Sequence, residues 1–444
     1  MKYTIIGAGK SGLSAALLAK KKGNDVFLSE SNSIEKYKDE VEILKSNGID
    51  YEFGANSEKA LEFADVIITS PGVPPKAWII QDAEKRKIKI ISELEFASQF
   101  LKNPTIAITG TNGKTTTTTL IAYILNNSGK KAIACGNIGK PVSDLVDNVS
   151  EDTILVIEAS SFQLDRIDKY RPNVAIIMNI TPDHLYYHGT MEEYKKAKFK
   201  IFSNQIEKDL LILNCDDEQT SEAKALARGQ VVCFSINPMQ QGIYCSDNDL
   251  AIRFPNLHKE ENIMLLNEIS LPGIHNRYNA MAAALATRAF EVKNENIRDS
   301  LMKFQGVEHR LEFVRKINGI TFVNDSKATN INASWYALSS YDAPIVWIAG
   351  GRADLNDYSA LDELVKQRVK KIICIGEEQN NIFNHYCTIT SCKRELTFED
   401  AVKSAYSEAE AGDVVLFAPA CKSFDMFLNF EHRGEVFKEL VMEL

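Results

Sequence analysis

The chain has 444 residues, which is about three times the length of an ordinary domain, so we expect about three domains. Hydrophobic residues make up 45% of the chain and charged residues 25%, and the formal net charge at pH 7 is −9. This composition excludes a disordered chain, a collagen-like fibre and a disulfide-rich scaffold, and the negative charge argues against nucleic acid or an acidic membrane surface as a partner.

Targeting and redox signals are also missing from the sequence. No apolar run approaches the ~20 residues that span a bilayer, and glycines interrupt the N-terminal segment too early for a signal peptide. The 8 cysteines are scattered, with no CxxC pair to indicate a zinc ribbon or a redox motif. We therefore expect a cytoplasmic protein with reduced cysteines and no membrane anchor.

Short apolar runs alternate with segments of helical period along almost the whole chain. This alternation predicts an α/β protein with mainly parallel sheets and helices on both faces. The predicted strands are Tyr3–Ile6, Asp65–Thr69, Thr105–Thr109, Ile154–Ile157, Val174–Met178, Leu210–Leu213, Ile345–Ala349, Lys371–Ile375 and Val414–Phe417. Helical segments between them include Ser11–Lys22 and Thr115–Asn126.

Two changes along the chain predict domain boundaries. The segment Leu101–Pro104 separates a polar helix from a new strand, and near residue 303 a helical segment gives way to a strand run, Leu311–Val323. We therefore predict domains over residues 1–100, 101–303 and 304–444. The polar, irregular stretch Ile236–Leu271 predicts a small β excursion of the middle domain.

A glycine-rich loop, GAGKSG over residues 7–12, follows the first strand and precedes a helix. Such a loop brings backbone N–H groups close to a pyrophosphate at the helix N-terminus, and Glu30, about twenty residues later, is placed to bind a ribose. Any nucleotide diphosphate would suit the loop, so NAD is only one candidate. The alternative is a plain strand–helix turn without a ligand.

A second glycine-rich loop, TGTNGKTT over residues 109–116, again joins a strand to a helix. Its backbone can surround phosphate oxygens, Lys114 can reach the β- and γ-phosphates, and the Thr115 hydroxyl can coordinate Mg²⁺. The pattern departs from the usual P-loop because Ile108 replaces the first glycine. It predicts an ATP site, with a structural loop as the alternative. The residues of this site are Gly110, Thr111, Asn112, Gly113, Lys114, Thr115 and Thr116.

Polar residues also follow the next two apolar strands of this region. Glu158 closes one strand, where its carboxylate either coordinates Mg²⁺ in the crevice or is satisfied structurally. His184 and His188 follow the other, but Leu185 occupies the place of a metalloprotease glutamate and no third zinc ligand is evident. We expect His184 beside a Mg²⁺–phosphate site and His188 in a packing role.

The predicted helix Met191–Phe202 carries four lysines. At about 100° per residue, Lys195, Lys196 and Lys200 point away from the apolar face, whereas Lys198 lies on it. An ammonium group on an apolar face is costly unless it is paired or neutral. Lys198 therefore either extends to solvent or stays neutral long enough to react with CO₂, and the resulting carbamate is an anion able to bind Mg²⁺.

In the last third, the segment Asn324–Asn330 (NDSKATN) follows a strand ending at Val323, and His309 and Arg310 lie shortly before it. A polar cluster at a strand's carboxyl end lies where ligands bind in α/β sheets. Arg310 is a candidate for stabilising a transferring phosphoryl group, and Asp325 is a candidate for holding a ribose. The alternative is that each of them is an ordinary loop residue.

Taken together, these segments resemble the Mur ligase family over the whole chain. The segments that carry the resemblance are TGTNGKTT (109–116), GNIG (136–139), EASSFQL (158–164), DHLYYHG (183–189), GIHNRYNAMAA (273–283), HR (309–310) and NDSKATN (324–330). GNIG, SSFQL and NDSKATN favour the family member that adds D-glutamate over siblings that add other residues. The resemblance implies a Rossmann-like N-terminal domain, a central P-loop-type ATPase domain and a Rossmann-like C-terminal domain.

The activity that the resemblance implies is ATP-dependent ligation of D-glutamate to UDP-N-acetylmuramoyl-L-alanine through an acyl phosphate, in peptidoglycan precursor synthesis. ATP and two Mg²⁺ ions are implied, NAD is not, and the expected state is a monomer. The alternatives are a sibling ligase for another amino acid, a folylpolyglutamate-type ligase, an NAD-dependent oxidoreductase built on residues 7–12, and a nucleotide sensor without turnover.

The resemblance also implies residue roles. Lys114 would grip the phosphates, Thr115 and Glu158 would hold one Mg²⁺, and His184 and carbamylated Lys198 would hold the other. Asn276 and Asn279 would contact adenine. Arg310 would contact phosphate, and Asp325 would contact the ribose. The amino-acid end would comprise Lys327, Thr329, Ser423 and Phe430. The UDP-linked substrate would contact Gly9, Lys10, Ser11, Gly12, Ser70, Pro71, Gly72 and Asn137.

Two places depart from the family pattern. The family often has a lysine shortly after the pair Gly350-Gly351 to grip a D-glutamate carboxylate, but this chain continues RADLND and has none. Arg352 is the candidate replacement, unless the grip differs. At the end of the predicted second strand, the run Ser29–Ser31 offers no arginine, so the uracil contacts have no predicted residue.

Overall fold

A computed structural model describes residues 1–246, 248–253, 261–352 and 356–444. The chain divides into two compact units. The first comprises Met1–Glu268 and Tyr278–Met302, and the second comprises Ile269–Arg277 and Lys303–Leu444. Within the described ranges, no helix is long and apolar enough to cross a bilayer.

The N-terminal part of the first unit contains a five-stranded parallel sheet. Its strands are β1 (Lys2–Ile6), β2 (Asp25–Glu30), β3 (Asp50–Phe53), β4 (Val66–Thr69) and β5 (Lys89–Ser92). They are ordered β3-β2-β1-β4-β5, so the strand order reverses between β1 and β4. Ligands in open parallel sheets bind at the carboxyl ends of the strands beside such a reversal.

The second sheet of this unit has nine strands in the order β14-β13-β12-β11-β10-β9-β6-β8-β7. The strands are β6 (Thr105–Thr109), β7 (Ala132–Gly136), β8 (Ile154–Glu158), β9 (Val174–Ile177), β10 (Leu210–Asn214), β11 (Gln230–Ser235), β12 (Gly242–Ser246), β13 (Asp249–Arg253) and β14 (Glu261–Leu265). Only the pairs formed by β13 are antiparallel. The predicted β excursion is confirmed by strands β12, β13 and β14. Residues 247 and 254–260 of the predicted stretch lie outside the described residues.

The second unit contains a six-stranded sheet in the order β15-β16-β20-β17-β18-β19. Its strands are β15 (Glu312–Ile317), β16 (Ile320–Asn324), β17 (Ile345–Gly350), β18 (Val369–Ile375), β19 (Ser391–Arg394) and β20 (Val414–Phe417). Only the β15–β16 pair is antiparallel. The predicted α/β class with mainly parallel sheets is therefore confirmed, whereas the two domain boundaries stay a prediction.

Helices connect most of the successive strands, as is usual for parallel sheets. In the first unit's N-terminal part they are α1 (Lys10–Lys21), α2 (Lys38–Ser46), α3 (Glu58–Phe63), α4 (Trp78–Lys85) and α5 (Glu93–Ser98). The next are α6 (Lys114–Asn127), α7 (Ser161–Asp165), α8 (Leu185–His188), α9 (Met191–Phe199), α10 (Glu218–Ser221), α11 (Ala223–Leu226), α12 (Ile274–Arg288) and α13 (Asn294–Lys303). The last are α14 (Ile331–Ser339), α15 (Asp362–Arg368), α16 (Gln379–Tyr386), α17 (Phe398–Glu408) and α18 (Phe430–Glu443).

The predicted strand run Leu311–Val323 consists of two strands, β15 and β16, which form a hairpin. The two strands are joined at Asn318 and Gly319, which both have positive φ, 49° and 85°. An Asn-Gly pair favours the tight turn whose twist matches two antiparallel strands. Because apolar residues continue on both sides of Asn318 and Gly319, the apolar pattern alone does not reveal the turn.

The expectation of fully reduced cysteines differs from the structure, in which Cys215 and Cys233 form a disulfide. Cys215 directly follows β10, and Cys233 lies in the neighbouring strand β11. Their Cα atoms are 5.7 Å apart, within the span that a disulfide bridges. Proximity across two adjacent strands cannot be read from a spacing of 18 residues, and no CxxC pattern announces it.

Candidate functional site

The first crevice lies at the order reversal of the five-stranded sheet. The loop after β1 supplies Gly9, Lys10 and Ser11, and the loop after β4 supplies Ser70, Pro71 and Gly72. Together with residues following β2, these loops line a cavity of about 390 Å³. Gly12 packs against the loop itself, since an added Cβ would lie 1.9 Å from the Gly7 carbonyl oxygen. Six of the residues predicted to contact the UDP-linked substrate thus line one cavity, whereas Asn137 lies beside Glu158 at the second sheet.

Glu30 supports this glycine loop from behind. Its Oε2 accepts a hydrogen bond from the backbone N–H of Ala8 (2.8 Å), and its Oε1 accepts from the backbone and side chain of Asn32 (2.8 and 2.6 Å). Burial alone would raise the pKa of Glu30, but these hydrogen bonds outweigh burial and lower the pKa. The carboxylate suggested as a ribose ligand is thus already used in shaping the loop.

The second crevice gathers three loops, because β8, β6 and β9 are adjacent parallel strands. The phosphate-loop candidate follows β6, Glu158 ends β8, and Asn179 follows β9. Gly113 has φ 82°, and a Cβ there would lie 2.5 Å from the Asn279 side-chain oxygen, so the position requires glycine. The loop therefore has the backbone geometry that its sequence predicts.

Asn179 holds the loop in shape, and the sequence did not single it out. Its carbonyl oxygen accepts from the Thr111 N–H (2.9 Å), and its side-chain oxygen accepts from the Asn112 N–H (2.8 Å). These two loop donors are therefore engaged. An α-helix leaves its first N–H groups outside its own hydrogen-bond ladder, so the start of α6 is where a phosphate would bind. A polar residue at a strand's carboxyl end was the available signal.

Unsatisfied polar groups at this loop fit a polar ligand. Among the described residues, the buried Asn112 amide nitrogen and Thr116 hydroxyl have no hydrogen-bond partner. Buried polar groups without a partner are rare in folded proteins because leaving them unpaired is costly. Together with the start of α6, they match what the phosphates of a nucleotide need.

Two lysines converge on one carbonyl of the loop. Lys114 Nζ donates to the Gly110 oxygen (2.9 Å) and the Thr111 oxygen (2.8 Å), and Lys198 Nζ donates to the same Gly110 oxygen (2.7 Å). Lys198 is only 1% exposed, so its ammonium group does not extend to solvent. Burial, followed by the charge of Lys114, holds the pKa of Lys198 well below its ordinary value.

A second lysine of α9 is also buried. Lys195, expected to point away from the apolar face, is only 6% exposed. Its ammonium group is covered by carboxylates of Glu192 (3.0 Å) and Glu222 (2.9 Å). Within the described chain, no carboxylate forms such an ion pair with Lys198, whose Nζ lies 4.5 Å from the ring centre of Tyr194.

Glu158 links the phosphate loop to Asn137, which follows β7. Its Oε2 accepts from the Thr115 hydroxyl (2.8 Å), and its Oε1 accepts from the Asn137 amide (3.0 Å). Oxygen ligands of this kind are the ones that Mg²⁺ prefers. No three His, Cys, Asp or Glu side chains of the described chain group closely enough to hold a metal ion. A magnesium ion at Glu158 would therefore draw on the Thr115 hydroxyl and on water as further ligands.

The two histidines lie against Phe162, whose ring centre is 4.9 Å from that of His184 and 5.8 Å from that of His188. His184 adopts a left-handed backbone (φ 53°) at the start of α8. His188 bonds to the Ser161 hydroxyl (2.9 Å), and burial lowers the pKa of His188 to about 4. This environment agrees with the packing role expected for His188.

The two asparagines predicted to contact adenine belong to different units of the chain. Asn279 belongs to the first unit, where its side-chain oxygen accepts from the Thr117 hydroxyl (3.1 Å) beneath the phosphate loop. Asn276 belongs to the second unit and donates to the Pro272 carbonyl oxygen (2.7 Å). The structure thus places Asn279 at the phosphate loop.

In the second unit, Asp325 lies buried where β16 ends. Its Oδ1 accepts from the Leu311 N–H (3.3 Å). Burial raises the pKa of Asp325 to about 6, and the nearby positive charge of Arg310 acts in the opposite direction. Among the described residues, the buried Arg310 Nε has no hydrogen-bond partner. Arg310 and Asp325, predicted to contact phosphate and ribose, are thus close enough for the charge of Arg310 to act on the Asp325 carboxyl group.

The predicted amino-acid end forms a second group in this unit. Lys327 Nζ lies 5.1 Å from the ring centre of Phe430, and Thr329 follows on the same loop. Ser423 is buried on the loop after β20. Because Asn324 pairs with Phe417 in the sheet, the loops that follow β16 and β20 start side by side.

Arg433, which the sequence analysis missed, braces these loops from within. It is buried, and its guanidinium donates to the Ser326 carbonyl oxygen (2.7 Å) and the Cys421 carbonyl oxygen (3.1 Å). Arg352, the candidate replacement for the missing lysine, instead approaches Glu377 (3.3 Å) at the surface. Residues 353–355 of that run lie outside the described residues.

Comparison with known proteins matches all three parts of the chain to family models. The Mur ligase MurD-like N-terminal domain matches residues 1–92, the Mur ligase middle domain matches residues 108–287, and the glutamate ligase domain of Mur ligases matches residues 309–421. A UDP-N-acetylmuramoylalanine–D-glutamate ligase of Chloroherpeton thalassium is 43% identical over 99% of this chain and 97% of its own length. The enzyme of the same name from Salinibacter ruber is 41% identical, also over 99% and 97%.

Solved structures show the same fold at lower identity. The UDP-N-acetylmuramate-alanine ligase of Thermotoga maritima has a TM-score of 0.60 at 20% identity, covering 100% of this chain and 99% of its own. The MurF ligase of the same organism, in complex with ADP, has a TM-score of 0.58 at 18% identity, covering 87% and 91%.

Proposed function

The chain belongs to the Mur ligase family, and from this premise we propose that it ligates D-glutamate to UDP-N-acetylmuramoyl-L-alanine, converting ATP to ADP and phosphate. The observation that carries the proposal is the convergence of a phosphate loop, a carboxylate and a buried lysine at the carboxyl ends of adjacent strands. The names of relatives more than 40% identical over nearly the full chain support the choice of substrates.

The reaction proceeds in two steps. The alanyl carboxylate of the UDP-linked substrate attacks the γ-phosphorus of ATP, which gives an acyl phosphate and ADP. The amine of D-glutamate, having lost a proton, then attacks the acyl carbon, and phosphate leaves as the amide forms. Such chemistry depends mostly on alignment and on neutralising phosphate charge.

The first unit supplies the phosphate-handling groups in this proposal. Lys114 turns from the loop carbonyls to the β- and γ-phosphates, and the start of α6 donates backbone N–H groups to them. Glu158 and Thr115 would hold one magnesium ion, and His184 and the carbamate of Lys198 would hold a second. When bound, magnesium neutralises charge on the phosphates. Asn137 holds Glu158 in position and faces the muramoyl substrate.

The remaining roles follow the same logic. The cavity of residues 7–12 and 70–72 takes the UDP moiety, since its glycine loop suits a pyrophosphate. In the second unit, Arg310 contacts phosphate and Asp325 the ribose, while Lys327, Thr329, Ser423 and Phe430 receive D-glutamate. Because ATP and a nucleotide-linked sugar are consumed, we place the reaction in the cytoplasm.

Ligand protection tests this function against an oxidoreductase built on the first glycine loop. A ligand that binds only the folded protein stabilises it by about 2.7 kcal/mol at one hundred times its Kd. We expect UDP-N-acetylmuramoyl-L-alanine and Mg²⁺–ATP each to raise the apparent Tm by a few degrees, and NAD(H) to leave it unchanged. Protection by NAD(H) alone would contradict the proposal.

A further inference from the structure

The first unit carries two crevices on two different sheets, and the proposed reaction needs them aligned. The UDP cavity lies at the five-stranded sheet, and the phosphate loop lies at the nine-stranded sheet. A misplacement of about 1 Å between reacting groups can lower a rate about a hundredfold. The contacts that join the two sheets therefore bear directly on phosphate transfer to the UDP-linked substrate.

Helix α5 lies at this junction. It packs on the first sheet, where the ring centre of Phe96 lies 5.1 Å from that of Tyr3 in β1. The helix also starts beside the UDP cavity, because Ser92 of β5 pairs with Thr69 of β4, and the cavity residue Ser70 comes next. A side chain in the first turn of α5 is thus close to the UDP site along the backbone.

The first residue of α5, Glu93, reaches the central sheet. It is only 1% exposed, and its Oε1 accepts a hydrogen bond from the Ser143 N–H (2.6 Å). Ser143 lies on the segment that follows Asn137. The Asn137 backbone N–H donates to the Glu158 carbonyl oxygen (2.9 Å), and its side-chain amide donates to Glu158 Oε1 (3.0 Å). A short series of contacts therefore leads from the UDP cavity to the carboxylate of the phosphate site.

Glu95 of the same turn holds a second segment of the central sheet. It is also only 1% exposed. Its carboxylate accepts hydrogen bonds from the backbone N–H groups of Asp168, Lys169 and Tyr170, at 2.9 to 3.1 Å. Hydrogen bonds to an ionised acceptor are about twice as strong as neutral ones. This segment leads into β9, and Asn179 after that strand shapes the phosphate loop.

We propose that Glu93 and Glu95 are positioning residues that fix the sheet of the UDP cavity against the sheet of the phosphate loop, and so align the alanyl carboxylate with the γ-phosphate. This inference rests on the proposed function. Each carboxylate acts through a backbone segment of the central sheet. An ion pair of Lys89 and Asp168 crosses the same boundary, but both side chains are about half exposed, so it contributes little.

The rate constant of a single turnover tests the inference, measured with the whole chain in excess over ATP and with the other substrates saturating. Under these conditions an unfolded fraction of the sample leaves the rate constant unchanged, whereas misalignment lowers it. We expect Glu93→Ala and Glu95→Gln each to lower it by about tenfold to a hundredfold. Mg²⁺–ATP and the UDP-linked substrate, each added alone, should still raise the apparent Tm as in the unmodified chain, because each crevice lies at one sheet.

The two carboxylates should respond differently to an amide. Among the described residues, Glu93 Oε2 is buried without a hydrogen-bond partner, and burial raises the pKa of Glu93 to about 7. Glu93→Gln keeps a neutral oxygen to accept from Ser143, so it should recover most of the rate lost in Glu93→Ala. Glu95→Gln should stay slow, because both Glu95 oxygens accept backbone hydrogen bonds and the amide replaces one of them with a donor.

Asp168→Ala is the matched control, since it removes an exposed carboxylate at the same boundary, and its rate constant should stay within about twofold. A rate constant within twofold of the unmodified value in folded Glu93→Ala or Glu95→Gln would overturn the role of that residue. Loss of protection by the UDP-linked substrate in parallel with the rate would also overturn it, because the cavity itself would then be damaged. If the unmodified chain shows no D-glutamate-dependent phosphate release, the proposed function fails and this inference with it, and the unmodified chain alone decides that outcome.

Discussion

Replacing Lys198 by alanine is expected to lower the turnover rate by a factor of about a thousand, the upper range for removing one preorganised charged group from an active site. The side chain is buried, and its nitrogen contacts the Gly110 carbonyl of the phosphate loop. In the proposed function, CO₂ adds to the neutral amine of Lys198, which forms a carbamate and releases a proton, so the site gains a buried anion near Glu158. The alanine variant loses that anion.

Chemical rescue distinguishes a missing anion from a damaged fold. Formate or acetate is small enough to enter the space left by the side chain, and we expect either to restore part of the activity of Lys198→Ala in a concentration-dependent way. Lys196→Ala is the matched control, because Lys196 lies on the same helix and is exposed. It should retain full activity without added carboxylate. Full activity of Lys198→Ala would contradict the carbamate.

Replacing Lys114 by alanine is expected to reduce phosphate release by about a hundredfold to a thousandfold. The ammonium group contacts two loop carbonyls, at 2.9 and 2.8 Å, at the place where the β- and γ-phosphates belong. Because the UDP cavity lies at a different sheet, binding of UDP-N-acetylmuramoyl-L-alanine should be retained, as measured by its effect on the apparent Tm.

A matched substitution and a second readout make the Lys114 result specific. Lys131→Ala removes an exposed lysine that pairs with Asp152, and it should leave both phosphate release and substrate binding unchanged. Loss of phosphate release together with loss of UDP-substrate binding in Lys114→Ala would indicate a disrupted fold. Retained phosphate release would show that Lys114 does not contact the transferring phosphate.

Much of the phosphate site was predictable because its signals are local. The loop over residues 109–116 combines a strand, glycines and a helix start within a few residues, and its backbone follows the expected course. Glu158 was recognisable because a carboxylate at the end of an apolar strand needs a partner. The partners themselves, Thr115 and Asn137, depend on which strands are neighbours in the sheet.

The lysines of α9 show what helical periodicity can predict and what it cannot. Periodicity identifies Lys198 as the lysine on the apolar face, and that residue is buried. Periodicity does not predict the burial of Lys195 on the polar side. That burial results from ion pairs with Glu192 and Glu222, and Glu222 lies 27 residues away. Side-chain pairing across the fold is not encoded in the period of one helix.

Other features depend on tertiary contacts that no motif announces. Asn179 shapes the phosphate loop through an adjacent strand, and Arg433 braces two loops of the second unit from a distant helix. The disulfide of Cys215 and Cys233 likewise requires knowing that β10 and β11 are neighbours. The sequence signals for these residues were a polar strand end, a helical arginine and two scattered cysteines.

The most direct test of the account measures phosphate release from ATP with Mg²⁺ and UDP-N-acetylmuramoyl-L-alanine, comparing D-glutamate, L-glutamate, lysine, diaminopimelate and no amino acid. We predict release that depends on D-glutamate and is near background with the other acceptors. Release that depends on a different amino acid would reassign the substrate within the family. If folded protein releases no phosphate with any of these acceptors, the result would contradict the proposed ligase activity.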